Sequence, residues 1–403
     1  MQSVPKWITR NYFINILAEE IDNFKCINKF TLISACQFGE GATSDLIRVQ
    51  FEVQLKDGSL KPFSLMMKSK KQLSLNSDKI VADAGNFEKE NEVYDKILPV
   101  FEKLYSDKGK KKCFSPRSYK LSEKPPADYV VLEDLGPQYY EMGSSCKGLN
   151  LKRLKQTLET LAEFHAASAV YVENHGIFSE KFEKGVYDPA QKIYYVTMYQ
   201  HVVDIIIGSY KKNVKEGTYF AEKMFSNLGD LMDKYFQCTK LKPDEFNVLT
   251  HGDIWTNNIM FKGENTLLLD YQLSLYGSPI LDFIQLVFSS ANSEIIKGHF
   301  DELLKHYHTN LSKNLKLLEY TKKIPTMTDL HLSVYKNRSW IVHILNGSLA
   351  IALMTPVKDL DLDTIMKLDD KGMSLKTMMY SNKNYVGRLS EILEWLESRG
   401  LLD

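Results

Sequence analysis

Two carboxylates and one amide are grouped in the second half of this chain. His251-Gly252-Asp253-Ile254-Trp255-Thr256-Asn257-Asn258 is followed by the apolar run Leu267-Leu268-Leu269 and then by Asp270. Asp253, Asn258 and Asp270 stand where a magnesium-bound nucleotide and an acceptor hydroxyl could meet. Phosphoryl transfer uses this set: one carboxylate orients the attacking hydroxyl, while an amide and a second carboxylate ligate Mg²⁺. Such a set needs a short loop between buried strands, which leaves the three groups little freedom. Val248-Leu249, Ile259-Met260-Phe261 and Leu267 to Leu269 supply apolar runs of strand length around that loop.

Further candidates lie in the first half. Lys68 closes the run Phe63, Leu65, Met66 and Met67, where a lysine facing a cleft could pair with nucleotide phosphates. Glu90 comes next, in a helical segment, and could orient Lys68. The turn Gly39-Glu40-Gly41-Ala42-Thr43-Ser44 could let backbone approach phosphates through Gly39, Gly41 and Ser44. Glu133 to Leu135 could offer backbone hydrogen bonds to an adenine ring. Each has a plainer reading when taken singly. Asp253 reads equally as a turn cap, Asn258 as an ordinary turn asparagine, and Asp270 as a cap at a strand end. Lys68 reads as a solvated strand-end lysine, since Lys70 and Lys71 follow within three residues. Glu90 reads as one of several glutamates with Glu88 and Glu92, the glycine pair as a hairpin turn, and Glu133 to Leu135 as a linker. What argues for chemistry is the order and spacing of Asp253, Asn258 and Asp270 together. His165 reads as a core histidine and His251 as a support of its loop. Asp282 either braces that loop or favours a helix N-terminus.

The elements that must position these groups show in the hydropathy pattern. Ile8 to Ile21 predicts an amphipathic helix. Ile47, Val49, Phe51, Val53 and Leu55 alternate with Arg48, Gln50, Glu52 and Gln54, a strand pattern closed by the turn Lys56-Asp57-Gly58-Ser59 and a returning strand Phe63 to Lys68. Phe87 to Leu104 predicts a helix that Pro99 bends or interrupts, and Tyr129 to Leu132 a further strand. Leu151, Leu154, Leu158, Leu161, Ala162 and His165 fall on one helical face. Helices are also expected over Gln191 to Ile207, Thr218 to Gln237, Leu281 to Ser290, His299 to Asn310, Thr328 to Ala352 and Leu389 to Arg399. The pattern predicts an α+β chain with two lobes. A sheet-rich N-lobe over 1–132 would bind phosphates, and a larger helical C-lobe over 133–403 would carry the loop, the metal and the acceptor.

Composition narrows the function classes. The 403 residues suffice for two cores, and Lys+Arg and Asp+Glu both number 51. That balance favours neither nucleic acid nor an anionic membrane surface. Cys26, Cys36, Cys113, Cys146 and Cys238 have no close pair, which argues for reduced thiols and against a zinc site. The segment Ile341 to Met354 is interrupted by His343 and Asn346 and reads as a buried helix, not a membrane span. Met1 to Tyr12 lacks an apolar signal core, so the expected location is cytoplasmic. No protein partner is inferred.

These residues resemble a known family. His251-Gly252-Asp253 through Asn258, with Asp270, resembles the core shared by aminoglycoside phosphotransferases and choline kinases. The fuller match is to the ecdysteroid kinase-like family, also called the CHK-kinase-like group. It runs through His251 to Phe261, Leu269-Asp270-Tyr271-Gln272, Tyr276-Gly277-Ser278-Pro279, Phe87-Glu88-Lys89-Glu90 with Tyr94 and Pro99, Leu132-Glu133-Asp134-Leu135 and Leu161 to Ala166. The resemblance implies a bilobal protein-kinase-like fold and ATP- and Mg²⁺-dependent phosphorylation of a small-molecule hydroxyl, with ecdysteroids or foreign hydroxylated compounds as acceptors. By that resemblance Lys68 and Glu90 take the phosphate-binding pair, Asp253 the catalytic position, and Asn258 and Asp270 the metal positions. Tyr271 stands where phenylalanine is commoner in the family, and Ala42-Thr43 replace an asparagine and an aromatic.

An acceptor pocket is expected in the helical half, walled by Tyr194, Tyr195, Tyr199 and the segment Trp340 to Met354. Two rivals remain from the sequence: a silent ligand-binding protein of the same fold, and a choline- or aminoglycoside-type kinase of a polar substrate. A protein kinase fits less well, because Asp270-Tyr271-Gln272 runs quickly into Gly277-Ser278-Pro279 without a long activation segment.

Overall fold

Strict alternation builds the first layer. In a computed structural model describing residues 4–35, 44–71, 86–144, 147–183, 192–354, 367 and 369–403, strand β2 (Ser44–Leu55) buries Ile47, Val49, Phe51 and Val53. Its hairpin partner β3 (Leu60–Lys70) brings Lys68 opposite Leu46. Gly58 turns the hairpin at φ +89°, and the Asp57 carboxylate accepts the Ser59 N–H at 2.9 Å. Together with β1 (Phe24–Ser34), β4 (Ser118–Tyr119) and β5 (Tyr129–Glu133) they form an antiparallel five-stranded sheet in the order β1-β2-β3-β5-β4. Little in the sequence marks β1, because register shifts between Phe24 and Cys26 and between Ile27 and Lys29 break its period of two. The expected opening helix is shorter than Ile8 to Ile21. A 3₁₀ turn over Arg10–Phe13 leads into α1 (Ile14–Glu20), whose Ile16 and Leu17 share the sheet's core with the Phe13–Phe51 pair, 5.4 Å between ring centroids.

The expected helix Phe87 to Leu104 is resolved into three pieces. α2 (Asn86–Glu92) widens into a π turn over Val93–Ile97 and resumes as α3 (Leu98–Ser106). Pro99 is the cause. It lacks an N–H and its ring would strike the carbonyl one turn back, so the helix opens before it.

Helices dominate the remainder of the chain. α4 (Leu151–His175) starts where the Asn150 side chain accepts the Arg153 N–H at 2.9 Å. After α5 (Lys192–Asn213), the single helix expected over Thr218 to Gln237 is instead two, α6 (Gly217–Phe225) and α7 (Leu228–Thr239), with Asn227 capping the second. The polar loop lies between short strands: β7 (Val248–Thr250) pairs with β10 (Leu275–Gly277), while β6 (Glu141–Met142), β8 (Ile259–Lys262) and β9 (Asn265–Leu268) form a second small sheet. Under them runs α8 (Ile280–Ser290), buried at every position. α9 (Ser293–Leu317) packs along α4. The expected helix Thr328 to Ala352 is divided into α10 (Met327–Lys336), α11 (Arg338–Asn346) and α12 (Ser348–Ala352), broken at Asn337 and Gly347. Ile341 to Met354 is mostly buried, as expected, but as two helices. α13 (Asp370–Tyr380) and α14 (Lys383–Ser398) complete the helical part. Among the described residues no helix is long and apolar enough to cross a membrane, and Cys26, Cys113 and Cys238 are free thiols; Cys36 and Cys146 lie outside the described residues.

Asn346 closes α11 inside a buried polar knot. Its side-chain oxygen accepts the Tyr210 and Tyr385 hydroxyls at 3.0 Å each, its amide donates to the Val342 carbonyl at 2.9 Å, and its own carbonyl accepts the Tyr380 hydroxyl at 2.9 Å. Asn346→Leu strips the acceptor from two buried hydroxyls. The expected loss of stability is about 2–4 kcal/mol, read as a lower denaturation midpoint; an unchanged midpoint would show that the knot is dispensable.

His343 lies against Trp340 at 4.4 Å and Tyr235 at 5.2 Å between ring centroids. Burial lowers its pKa from 6.5 to about 4. The unfolded chain therefore binds the extra proton first, so stability is intact above pH 6.5 and is lost as pH falls from 6.5 towards 4. His343 is only half-buried, which reduces the loss to the order of 2 kcal/mol. His343→Phe should flatten the acid side of a melting-temperature profile; an identical profile would assign the acid loss elsewhere.

Candidate active site

Lys68 arrives at the site from the sheet. Its ammonium donates to Glu90 Oε2 at 2.7 Å, to Asp270 Oδ1 at 2.7 Å and to Gln272 Oε1 at 3.2 Å. An ammonium has three donors, and here all three are in use. Burial works against its charge, but the Asp270 and Glu90 carboxylates outweigh it and hold the lysine pKa above its usual range. Burial pushes the Glu90 carboxyl up, and Lys68 opposes it. Lys68 is thus not a solvated strand-end lysine, and Glu90, 1% exposed, is not a surface glutamate.

The polar loop is held from below. Gly252 has φ +80°, and a Cβ there would lie 2.1 Å from the Leu273 carbonyl oxygen, so a side chain is excluded. The Asp282 carboxylate accepts the His251 N–H at 2.6 Å and the Gly252 N–H at 2.9 Å. Asp282 also meets His165 Nε2 at 3.1 Å, and His165 Nδ1 meets the Tyr307 hydroxyl at 2.7 Å. His165 is therefore a hydrogen-bonded core histidine and Asp282 a brace of the loop. The His251 ring packs on Tyr271 at 4.6 Å, and its Nδ1 accepts the Asp253 N–H at 3.3 Å. Burial lowers its pKa, although Asp282 and Asp270 raise it; it supports the loop as a neutral ring.

Asp253 projects above this frame. Gln285 Nε2 of α8 donates to its Oδ1 at 3.1 Å, and Asn258 Nδ2 donates to its Oδ2 at 3.1 Å. Burial, with the charge of Asp270, pushes its carboxyl up to about 7, while Asn258, Lys68 and Gln285 pull the other way. Asn258 Nδ2 also donates to the Asp253 carbonyl at 2.8 Å. Asp270 takes the left-handed conformation at φ 68° and ψ 67°, and its N–H donates to the Tyr94 hydroxyl at 3.2 Å. Tyr94 comes from the π turn and meets the Tyr271 ring edge-on at 5.5 Å. The Tyr271 hydroxyl donates to the Phe114 carbonyl at 3.2 Å, a contact that a phenylalanine at this position would lack.

The donor set fits a divalent cation of the magnesium kind. The Asn258 nitrogen is committed to Asp253, which leaves its amide oxygen for a cation, and the Asp270 carboxylate is 28% exposed. Among the described residues no group of three or more His, Cys, Asp or Glu side chains forms a metal cage. Mg²⁺ seldom uses one; it keeps waters and shares one or two protein oxygens with phosphates.

Other expected positions are placed less directly. Ser44 is buried at the start of β2 opposite Lys70; Gly39 and Gly41, and with them Ala42-Thr43, lie outside the described residues. Glu133 ends β5, and its N–H donates to the Arg117 carbonyl at 2.9 Å. The Leu135 carbonyl accepts the Gln138 N–H at 3.1 Å and the Tyr140 N–H at 3.4 Å, closing a turn. Between them Asp134 meets Arg48 Nε at 2.8 Å and accepts the Ser64 hydroxyl at 2.8 Å and the Gly136 N–H at 3.1 Å. Sequence reasoning does not single out Asp134, Gln272 or Gln285. Asp134 has a signal, an acid between a strand end and Gly136-Pro137; the two glutamines have none. Tyr199 is buried beside Tyr235, 6.2 Å between rings; the side chains of Tyr194 and Tyr195 lie outside the described residues.

An antiparallel sheet that supplies Lys68, joined to a larger helical part that supplies Asp253, Asn258 and Asp270, makes an α+β fold of the bilobal protein-kinase-like kind. The chain belongs to the ecdysteroid kinase-like family, whose model matches residues 38–320, and with it to the kinase-like small-molecule phosphotransferases. No protein of curated function matches it in sequence. Among solved structures it is similar to a choline kinase from Cryptosporidium parvum Iowa II, at 14% identity over 97% of each chain with a TM-score of 0.49. It is also similar to a Plasmodium vivax ethanolamine kinase, at 10% identity over 88% of this chain and 82% of that one, TM-score 0.38. The amicoumacin kinase hAmiN is 12% identical over 87% of this chain and 97% of its own, TM-score 0.37.

Proposed function

We propose that this protein transfers the γ-phosphoryl group of ATP to the hydroxyl of a small hydrophobic alcohol, an ecdysteroid or another hydroxylated compound, with Mg²⁺. The observation that carries the reading is the convergence of Lys68, Glu90, Asp253, Asn258 and Asp270 from distant parts of the chain on one site. Lys68, oriented by Glu90, would hold nucleotide phosphates. Asn258 and Asp270 would hold Mg²⁺, which when bound neutralises phosphate charge. Asp253 would orient the acceptor hydroxyl and take its proton as the new O–P bond forms. A carboxyl balanced near neutrality suits that task. Most of the acceleration would come from positioning and fixed charge, since phosphoryl transfer needs little covalent help. The lobe boundary would fall between Leu132 and Glu133, and the acceptor would lie in the helical lobe near Tyr199 and the segment Trp340 to Met354, whose aromatic and apolar side chains would suit a steroid-like alcohol.

The test is ADP release from MgATP against a panel of hydroxylated steroids and plant glycosides, with mass spectrometry of the product. A phosphorylated alcohol supports the reading. Release of no ADP above background with any compound, by protein shown to bind MgATP, would favour a silent ligand-binding role.

A further inference from the structure

We infer that Gln285 is a positioning residue for Asp253, a second amide that fixes the carboxylate independently of the metal position. The inference rests on the reading of Asp253 as the proton-accepting group. Each carboxylate oxygen is held by one amide nitrogen: Oδ2 by Asn258 and Oδ1 by Gln285, both at 3.1 Å. The two holders differ in kind. Asn258 belongs to the same loop as Asp253, and its oxygen is the one left for a cation, so in the proposed function it would serve the metal as well as Asp253. Gln285 sits on α8, whose residues are all buried, and is itself 4% exposed.

α8 holds the loop at two points one helical turn apart. Asp282 fixes the backbone through the His251 and Gly252 N–H groups, and Gln285 fixes the side chain of the next residue, Asp253. Residues three apart lie on one helix face, so a single rigid element sets both the loop and the direction of its carboxylate. With Asn258 alone, the carboxylate could rotate about its last bond. With both amides in place its plane is fixed, and with it the oxygen lone pairs that remain for an acceptor hydroxyl. A proton-accepting group displaced by a fraction of an ångström loses much of its rate advantage.

Gln285→Met keeps the length and bulk of the side chain and removes the donor. Turnover should fall roughly 10- to 100-fold, with the KM for ATP held within about twofold, because Lys68 and the metal positions are untouched. In an Asp253→Asn background the same change should add little further loss, since it acts through Asp253. An equal loss in both backgrounds, or a rise in KM alone, overturns the assignment. A readout free of turnover accompanies this. In protein labelled with ¹⁵N-glutamine, the Gln285 side-chain amide signal is identified by its loss in Gln285→Met. It should move in Asp253→Ala. If it does not move, the contact is absent and the inference falls. If it moves while wild type phosphorylates no alcohol, the contact stands and the kinase reading is what fails.

Discussion

Asp253→Asn should lower turnover by about three orders of magnitude, within the 10²–10⁴-fold range for a displaced general base, while MgATP affinity changes by only a few-fold. The substitution keeps the shape of the side chain and removes its charge and its proton affinity. It has a second consequence peculiar to this site. Both oxygens of Asp253 accept from amide nitrogens, Gln285 on one side and Asn258 on the other. An asparagine must turn its own NH₂ towards one of those donors and lose that contact. The loss therefore combines missing base chemistry with a loosened carboxamide, and both act on turnover. In the proposed function nucleotide binding would depend on Lys68, which is tied to Glu90, Asp270 and Gln272 and which this substitution leaves in place. The measurement is kcat beside a calorimetric Kd for MgATP. Wild-type turnover in the variant would remove Asp253 from its role.

The elements of the candidate site are legible in the sequence for a physical reason. Buried short strands read as apolar runs, and the polar loop between β7 and β8 stands out because its neighbours are apolar. The hairpin that carries Lys68 is equally clear, since Ile47, Val49, Phe51 and Val53 alternate without interruption. What stays hidden is set by tertiary contact. β1 loses its period to two register shifts. The divisions at Asn227, Asn337 and Gly347 fall inside long apolar periodicities, where a polar residue or glycine looks like one more surface position. Gln272 and Gln285 sit in sequence among ordinary polar residues; only folding puts one on Lys68 and the other on Asp253. Asp282 is legible as a brace or a helix-start acid, and its two backbone N–H partners decide for the brace.

Asp270→Ala should abolish the advantage of MgATP over metal-free ATP. Two effects of the substitution act together on the bare nucleotide. One negative charge beside the phosphate position disappears, and one of the three Lys68 donors is released from its 2.7 Å ion pair. Both favour phosphate binding, so affinity for ATP in the presence of a chelator should hold or rise. For MgATP the balance reverses. Asn258 alone would be left as a protein ligand, an uncharged oxygen with no carboxylate beside it, and Mg²⁺ gives up its waters reluctantly. A wild-type preference for MgATP of tenfold or more, about 1.4 kcal/mol, should collapse towards unity. Glu90 keeps Lys68 in place at 2.7 Å, so the loss is one of metal dependence and not of the lysine's position. Titration with a fluorescent nucleotide, with Mg²⁺ and with chelator in parallel, reads the ratio directly. A variant that keeps the wild-type ratio would show that the cation is held without Asp270, and the carboxylate would then serve only as a counter-charge to Lys68.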